Sequence, residues 1–258
     1  MKIRRFTNFP LDFSRGIFYY NNMIYVTGDI HANLDPKRLD FFKSLKKDDI
    51  MIVLGDFGFS WNKSLQNSWN ALDIECLTLS VMGNHENYDL IKSCAVERVF
   101  GADAYKLNPH TFYLMNGEIY DIEGIKSFVF GGADSIDKDY RVPYVSWWPE
   151  EIPSRGEFLK GLSNLERNNW DIDLFLAHTC PIEVNTSLFN YPFRLKDPVE
   201  DMLSQYEYEI QKNNPKKEYP FLFGHHHNFK REGKYICLYN QVMSIQKKEG
   251  EIILEGVI

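Results

Sequence analysis

Six apolar runs along the chain each end in a polar residue, and this pattern predicts six buried strands. Most of the runs are rich in β-branched and aromatic residues. The six segments are residues 23–29, 50–56, 77–84, 128–134, 172–178 and 219–225. The polar residue is Asp or Asn after the first four runs and His after the last two. The predicted strands therefore bring carboxylate, amide and imidazole side chains to their ends.

Apolar residues at helical spacing occur between these strands. Leu39, Phe42 and Leu45, for example, fall on one face of a helix. The predicted helices are residues 35–46, 65–75, 157–168 and 198–211. Alternating strands and helices predict a mixed α/β fold with a largely parallel sheet. Three short, closely spaced strands at 234–240, 242–247 and 251–257 predict an antiparallel ending.

Two long stretches between predicted elements have the character of insertions. The first is an aromatic loop at about 134–156, in which Pro143, Pro149 and Pro153 oppose regular structure. The second is the shorter stretch 181–197. Long loops in compact domains are usually functional or disordered, and aromatic residues disfavour disorder. We therefore expect the first loop to be ordered and functional.

Composition and charge narrow the class of protein. With 258 residues, 44% apolar and 25% charged, the sequence is typical of a globular protein, and we expect a single domain over residues 1–258. We expect no membrane insertion, because no apolar run approaches bilayer length. Pro10 and Asp12 interrupt the start, which is not typical of a secretion signal. The four cysteines contain no C-x-x-C pair, so we expect reduced thiols and a cytoplasmic location. The net charge of -7 argues against an extended nucleic-acid-binding face.

Polar residues two positions apart form candidate metal half-sites. In an extended backbone, residues i and i+2 project to the same side, so Asp29 and His31 could point at one ion, as could His225 and His227. His226 should then point the other way. The strand-end set lacks a thiolate, which favours Mn²⁺, Fe or Zn²⁺, and its imidazoles make Mg²⁺ alone a poorer choice. Seven ligands are too many for one tetrahedral site but suit two ions that share a carboxylate. The candidate ligands are Asp29, His31, Asp56, Asn84, His178, His225 and His227.

These residues follow one ordered pattern. It consists of D-x-H at 29–31, G-D at 55–56, G-N-H-E at 83–86, a lone His178 after a strand, and G-H-x-H at 224–227. From about residue 24 to the end, the sequence resembles the calcineurin-like metallophosphoesterases. Within that family, GDFGFSW and GGADSIDKDYR resemble a bacterial or phage-borne branch described loosely as phosphatases. The resemblance implies an α/β single domain in which helices flank a two-sheet β-sandwich.

The resemblance also implies a role for each motif residue. Asp56 would bridge two divalent ions. The first ion would be held by Asp29, His31 and His227. The second would be held by Asn84, His178 and His225. His85 would bind no metal but would face the phosphate and protonate the leaving oxygen, while a metal-bridging hydroxide attacks. No covalent phosphoenzyme is expected.

The residues that contact substrate are less constrained by the pattern. Arg141 could bind a phosphate oxygen, or it could be a solvated loop arginine. Trp147 and Trp148 could cover the substrate pocket and stack on a nucleobase, or they could anchor the loop on the core. Glu86 could orient His85 or cap the next helix, so it receives no role.

The sequence departs from the motifs of one branch of this family at two places, and both bear on the substrate. Protein Ser/Thr phosphatases of this family continue the second motif as G-D-x-V-D-R-G and place Arg after G-N-H-E, whereas this sequence has GDFGFSW and Asn87. The leading hypothesis is therefore a phosphate mono- or diesterase acting on a small phosphorylated molecule, which includes nucleotides. The alternatives are a protein-phosphatase-like activity and a non-catalytic scaffold, although scaffold drift should erode His85 and the ligands first. A nuclease acting on long strands would need a basic track beside the metals.

Overall fold

Fourteen strands and six α-helices lie within residues 22–190 and 196–258, which are the residues that the computed structural model describes. The strands are β1 (Ile24–Thr27), β2 (Ile50–Val53), β3 (Leu77–Ser80), β4 (Ala95–Val99), β5 (Ala102–Asn108), β6 (Thr111–Leu114), β7 (Ile119–Ile122), β8 (Ile125–Phe130), β9 (Leu174–Ala177), β10 (Phe221–Phe223), β11 (Lys230–Glu232), β12 (Tyr235–Cys237), β13 (Val242–Lys248) and β14 (Glu251–Gly256). The helices are α1 (Pro36–Ser44), α2 (Lys63–Asn70), α3 (Tyr88–Lys92), α4 (Arg155–Arg167), α5 (Ile182–Phe189) and α6 (Pro198–Asn213).

The strands form two mixed sheets with a similar plan. The first sheet has the order β14-β13-β1-β2-β3-β6-β5-β4, and the second has the order β11-β12-β10-β9-β8-β7. In each sheet the four central strands are parallel, namely β1, β2, β3 and β6 in one and β12, β10, β9 and β8 in the other. The outer strands pair antiparallel. Parallel strands require crossover connections, and helices α1 and α2 provide the first two.

Alternation along the strands produces three apolar layers. In β2, Ile50 and Ile52 face a core shared with Leu176 and Leu222 of the second sheet. Met51, the residue between them, faces the layer beneath α1, α2 and α3. The outer face of the second sheet is covered by α4, α5 and α6, with Tyr206, Val199 and Leu203 fully buried there. Because strand side chains alternate between faces, a strand covered on both sides must be apolar throughout, as β2 is.

Local signals fix the starts of the helices. Asp35 caps α1 by accepting hydrogen bonds from Lys37 N and Arg38 N, and Pro36 occupies the first turn. Ser154 and Glu157 form a reciprocal capping box at the start of α4. These signals explain why both helices begin close to where the pattern predicts them.

The predicted fold class is confirmed, as are the six predicted strands and four predicted helices, with small shifts at their ends. The antiparallel ending holds for β13 and β14. Strand β12 lies in the other sheet, where it pairs antiparallel with β11 and parallel with β10. Helix α2 ends at Asn70 instead of residue 75, because the chain turns and Asp73 adopts a φ of 54°.

Several elements have no counterpart in the prediction. Strands β4, β5 and β7 were missed because they mix polar and apolar residues, and β4 is almost wholly exposed. Strand β6 is buried throughout but only four residues long. Helix α5 lies in the predicted loop 181–197, of which residues 191–195 lie outside the described residues. The aromatic insertion at 134–156 joins β8 to α4 and contains two short 3-10 turns, Lys138–Tyr140 and Pro149–Glu151.

Both sheets contribute to the shared core, so the described residues form one domain. The predicted limits of that domain, 1–258, include residues 1–21, which lie outside the described residues. Across the described ranges, none of the helices combines the length and apolar character needed to cross a membrane.

Candidate metal centre

The predicted metal ligands lie just beyond the carboxyl ends of five parallel strands. Asp29 follows β1, Asp56 follows β2 and Asn84 follows β3, all in the first sheet. His178 follows β9 and His225 follows β10, both in the second sheet. Carboxyl ends of parallel strands are the usual place for binding sites in α/β proteins, since the loops there converge. The sandwich thus brings two strand ends from one sheet against three from the other.

Asp29, His31 and His227 form the first group of ligand atoms. One ligand atom from each of the three lies within 4.8 Å of the others. His31 Nε2 lies 2.8 Å from His227 Nε2, and His227 Nε2 lies 3.1 Å from Asp29 Oδ2. Two ring nitrogens that face each other and a carboxylate oxygen are a suitable donor set for a divalent cation.

The second group is centred on His178. Its Nε2 atom lies 2.8 Å from Asn84 Oδ1 and 3.4 Å from Asp56 Oδ1. Asn84 Oδ1 also lies 3.1 Å from His225 Nδ1. Asp29, Asp56 and His178 again offer ligand atoms within 4.8 Å of one another.

Asp56 connects the two groups through its two oxygens. Oδ1 faces His178, whereas Oδ2 lies 3.6 Å from His31 Nε2. The backbone N–H of His85 donates a 2.7 Å hydrogen bond to Oδ1 and holds the carboxylate in this orientation. Asp29 is held in a similar way by the backbone N–H of His225, at 2.9 Å.

The half-sites do not use the extended backbone that we predicted. His31, His225 and His227 have φ values of 51°, 66° and 47°, and Asp56 has 51°. A left-handed conformation is uncommon for residues other than glycine and tends to be retained at functional sites. The ligands therefore converge because the chain turns sharply after each strand. The predicted mechanism, in which an extended backbone directs residues i and i+2 to the same side, was wrong.

Two glycines are required by the close packing around the carboxylates. A Cβ atom at Gly83 would overlap Asp56 Oδ1, and one at Gly224 would overlap Asp29 Oδ1. Any larger residue at either position would displace a carboxylate that belongs to the ligand groups.

The ligand side chains perturb one another strongly. Burial opposes a charged His178, but the nearby Asp56 carboxylate outweighs it and raises the pKa of His178 to about 9. Burial would raise the pKa of Asp56, yet the positive charge of His178 lowers it overall. Burial lowers the pKa of His225 well below its ordinary value. The Asp29 carboxylate raises the pKa of His227.

The donor set fits divalent cations. Asp29 is fully buried, and its Oδ2 atom accepts no well-aligned hydrogen bond among the described residues. Within the described ranges, no Lys or Arg nitrogen lies within 4.0 Å of the Asp29 or Asp56 carboxylate. Their side-chain partners there are imidazoles, beside the backbone N–H groups of His85 and His225. Two buried carboxylates without a fixed cation are costly unless a bound ion compensates them.

His85 lies beside the ligand groups, with its ring centroid 5.2 Å from that of His31. Arg141 Nη2 approaches to 2.8 Å from His85 Nδ1. Burial, reinforced by the Arg141 charge, lowers the pKa of His85 despite the opposing effect of Asp56. Arg141 also forms an ion pair with Asp137 at 2.8 Å, and its Nη1 atom is buried with no hydrogen-bond partner among the described residues.

A cavity of about 580 Å³ opens beside these residues. Its lining combines Asp56, Asn84, His85, His225 and His227 with insertion residues that include Ser135, Ile136 and Lys138. Among the described residues, Trp147 and Trp148 do not contribute to this lining. Trp148 is instead buried in the apolar layer of the first sheet, and its Nε1 atom donates a 2.9 Å hydrogen bond to Asp89. It anchors the insertion, as one of the two alternatives predicted.

His226 points away from the ligand groups, as predicted. Its ring stacks on Phe189, with the centroids 4.0 Å apart. Glu86 takes neither of the roles considered for it. It is buried and accepts hydrogen bonds from Phe57 N, Ser60 Oγ and Tyr113 OH, while Asn87 caps α3. Glu86 thus fixes the loop that follows Asp56.

Two further residues at the site were not predicted from sequence. Arg38 is buried and donates a 2.8 Å hydrogen bond to the backbone oxygen of Asp29, while its Nε atom donates to Asp35. Ser135 accepts a 2.9 Å hydrogen bond from Asn84 Nδ2. The GGADS motif contains Ser135, but no spacing rule connects it with Asn84.

Comparison with protein-family models supports these observations. Residues 23–256 match the model described as calcineurin-like phosphoesterase. A comparison with curated proteins found no match. The family implies metal-dependent phosphoester hydrolysis with divalent ions, and the Asp and His groups described above could hold them. The bacterial or phage branch stays a prediction. Since the match covers nearly all of the sequence, the chain belongs to the calcineurin-like phosphoesterase family.

Proposed function

We propose that this protein hydrolyses phosphate mono- or diesters of small molecules at a centre of two divalent ions. The observation that carries this proposal is the convergence of ligand atoms from both sheets around Asp56, whose two oxygens face different histidines. The first ion is assigned to Asp29, His31 and His227. The second is assigned to Asn84, His178 and His225. Asp56 is shared by both.

The ions and the side chains have separate tasks. Bound divalent ions would neutralise phosphate charge and lower the pKa of water near them. Asp56 and Asp29 carry the negative charges that attract the ions. The mixture of carboxylate, amide and imidazole donors is compatible with Mn²⁺, Fe or Zn²⁺.

We assign the general-acid role to His85. In the free protein, burial and Arg141 keep its pKa low, which favours the neutral ring. A phosphate group bound beside Arg141 and His85 would add negative charge near the imidazole and favour its protonated form. His85 would then donate this proton to the leaving oxygen, which is the contribution expected of a positioned acid.

Arg141 is the proposed phosphate-binding residue. Its guanidinium is held beside His85 by Asp137, and the buried Nη1 atom has a donor to offer. A guanidinium can bind two phosphate oxygens at once. Trp147 stays a prediction as a substrate contact, and neither it nor Arg141 is among the residues that line the cavity. The assignment of Arg141 rests on its contact with His85.

The cavity favours a small substrate. A volume of about 580 Å³ is in the range of small-molecule sites, and it suits a phosphorylated metabolite or a nucleotide. Acidic side chains such as Asp134, Asp137 and Asp139 line it. Lys138 and Lys196 also line it, so the lining is mixed in charge and is not the basic track that a long polyanionic strand requires. Cys76, Cys94, Cys180 and Cys237 form no disulfide, which is compatible with our proposal of a cytoplasmic location.

A substrate panel with added Mn²⁺ tests this proposal. The panel contains aryl phosphate mono- and diesters, mononucleotides, cyclic nucleotides, dinucleoside polyphosphates and phosphopeptides. We expect turnover of a small phosphate ester and little turnover of phosphopeptides. Preferred turnover of phosphopeptides would support the protein-phosphatase alternative. No turnover of any compound by metal-loaded protein would support the scaffold alternative.

A further inference from the structure

Asn84 can serve as a metal ligand only through its side-chain oxygen. The amide group has an oxygen end and a nitrogen end of nearly equal shape, so something must fix which end faces the ions. In this structure Oδ1 faces His178 and His225, and Nδ2 points away from them toward Ser135 Oγ at 2.9 Å.

Ser135 is in turn held by Glu151. The Ser135 backbone N–H and hydroxyl both donate to the Glu151 carboxylate, each at 2.7 Å, and reach different oxygens. All three residues are buried, with exposed fractions of 5% for Asn84, 2% for Ser135 and 0% for Glu151. Water therefore has little access to exchange for these hydrogen bonds.

The chemistry of the three groups gives the chain of hydrogen bonds one direction. Burial raises the pKa of Glu151, and the two hydrogen bonds from Ser135 oppose that shift. In its ionised form the carboxylate only accepts, so the Ser135 hydroxyl donates its single proton to Glu151. The lone pairs of the Ser135 oxygen are then left to accept from Asn84, and only the Nδ2 end of the amide can donate. The Oδ1 end must consequently face the ions.

The fold holds Glu151 firmly at this position. Glu151 ends the 3-10 turn that follows Trp148, and Trp148 is buried in the apolar layer of the first sheet. Ser135 lies on the same insertion, just beyond Gly132, whose N–H donates to Met82 O at 2.8 Å. The insertion is thus attached to the segment that carries Asn84.

We propose that Glu151 and Ser135 are positioning residues that orient the Asn84 amide and so secure the second metal ion. The inference rests on the proposed two-ion centre. It also gives the aromatic insertion a task that its sequence did not predict. Residues behind a metal ligand typically change affinity by about 10- to 100-fold when they are removed.

A purely structural role for Ser135 is the competing explanation, and a cycle of variants separates the two. Ser135→Ala removes the hydroxyl that accepts from Asn84. Asn84→Asp supplies an oxygen at either end, so the orientation of the side chain no longer matters. If Ser135 acts by orienting Asn84, Ser135→Ala should lower the affinity for the second Mn²⁺ when residue 84 is Asn. The same change should lower it much less in the Asn84→Asp background.

The readout is stepwise Mn²⁺ binding by calorimetry, with thermal unfolding as a check of folding. Ser146→Ala is the matched control, because Ser146 lies on the same insertion and its hydroxyl accepts a 2.9 Å hydrogen bond from Val142 N, away from Asn84 and Glu151. We expect Ser135→Ala to lower the affinity for the second Mn²⁺ by about 10- to 100-fold and to leave the affinity for the first Mn²⁺ unchanged. Ser146→Ala should bind both ions as wild type does.

Three results would contradict the inference. The first is wild-type affinity for the second Mn²⁺ in Ser135→Ala, and the second is an equal loss in the native and Asn84→Asp backgrounds. If Ser135→Ala does not fold, Glu151→Gln replaces it in the same test. The third contradicting result is then wild-type affinity for the second Mn²⁺ in Glu151→Gln. Wild-type protein that binds fewer than two Mn²⁺ ions would instead contradict the proposed function itself.

Discussion

Strand β9 has a carboxylate at its beginning and an imidazole at its end, and the two surroundings are opposite in character. At the beginning, Asp173 is paired with Lys217 at 3.0 Å and with Lys247 at 2.6 Å. At the end, His178 faces Asp56, whose carboxylate has no Lys or Arg within 4.0 Å among the described residues. The same strand thus connects a carboxylate that is paired with lysines to a carboxylate that is paired only with histidine among ionisable side chains.

The difference separates a stabilising site from a binding site. Burial opposes the charge of Asp173, but its lysine partners and the Lys126 N–H lower the pKa of this carboxyl, so it is satisfied by the protein alone. Asp29 and Asp56 are buried with imidazoles, which must give up protons before they can bind metal. Buried carboxylates whose charged partners are imidazoles, and not Lys or Arg, are therefore the better guide to where a metal ion binds.

The largest effect should come from exchanging Asp56 for Asn. This change removes the charge shared by the two proposed ions, and metal ions contribute several kcal/mol of transition-state stabilisation. We expect kcat/KM to fall by roughly 10³-fold, together with loss of tight Mn²⁺ binding.

Asp173→Asn is the matched change at the other end of β9. It should leave Mn²⁺ binding and kcat/KM near wild type and lower the free energy of unfolding by about 1 to 3 kcal/mol. The lysines then face a neutral amide, in which an NH2 donor replaces one of the two acceptor oxygens. Equal loss of metal binding in both variants would erase the distinction between the two ends.

The next effect should come from His85→Ala. Loss of a general acid reduces rates by about 10²-fold or more, and the reduction should be larger for alkyl phosphates than for aryl phosphates whose leaving groups need no proton. Mn²⁺ content should not change. His110→Ala, at an exposed position, is the control. An equal loss of rate for alkyl and aryl phosphates in His85→Ala would contradict the assigned role.

A smaller effect is expected for Arg141→Ala. Hydrogen bonds to charged groups contribute about 1.5 to 3 kcal/mol. We therefore expect kcat/KM to fall by roughly 10- to 100-fold. Arg98→Ala serves as the control, because Arg98 lies on exposed strand β4. Steady-state kinetics with unchanged kcat/KM for Arg141→Ala would remove Arg141 from the phosphate site.

The smallest expected effect is the pH dependence of Mn²⁺ binding. Because Asp56 raises the pKa of His178 to about 9, metal-free protein holds this proton well above the ordinary histidine value of about 6.5. A raised pKa stabilises the metal-free fold fully below pH ~6.5, and that stabilisation is lost as pH rises through about 9. Mn²⁺ must displace the same proton, so affinity should rise by up to about tenfold per pH unit over this interval. Constant affinity between pH ~7 and ~8.5 would contradict this coupling.

The sequence was sufficient for residues whose environment is local. Asp56 and Asn84 follow apolar runs, and the strand pattern alone places them at adjoining ends of β2 and β3. His178 could be included because it also ends such a run. The central strands were predictable because they are covered on both faces and must be apolar throughout.

Residues that act through distant partners could not be predicted. Glu151 and Ser135 meet Asn84 only because the insertion folds back on Trp148, and no periodicity encodes that return. Arg38 was hidden in the same way, since it falls on a helix surface by spacing and yet reaches the backbone of Asp29. The left-handed turn at His31 was also invisible, because the side-chain pattern does not distinguish it from an extended strand.

The most direct test of the two-ion centre is a titration of metal-free protein with Mn²⁺, in which phosphate-ester hydrolysis is followed against equivalents added. A two-ion centre predicts that activity rises to a plateau at two Mn²⁺ per chain, and that bound metal measured on the same samples reaches two. A plateau at one equivalent, or full metal binding without hydrolysis of any ester, would contradict it.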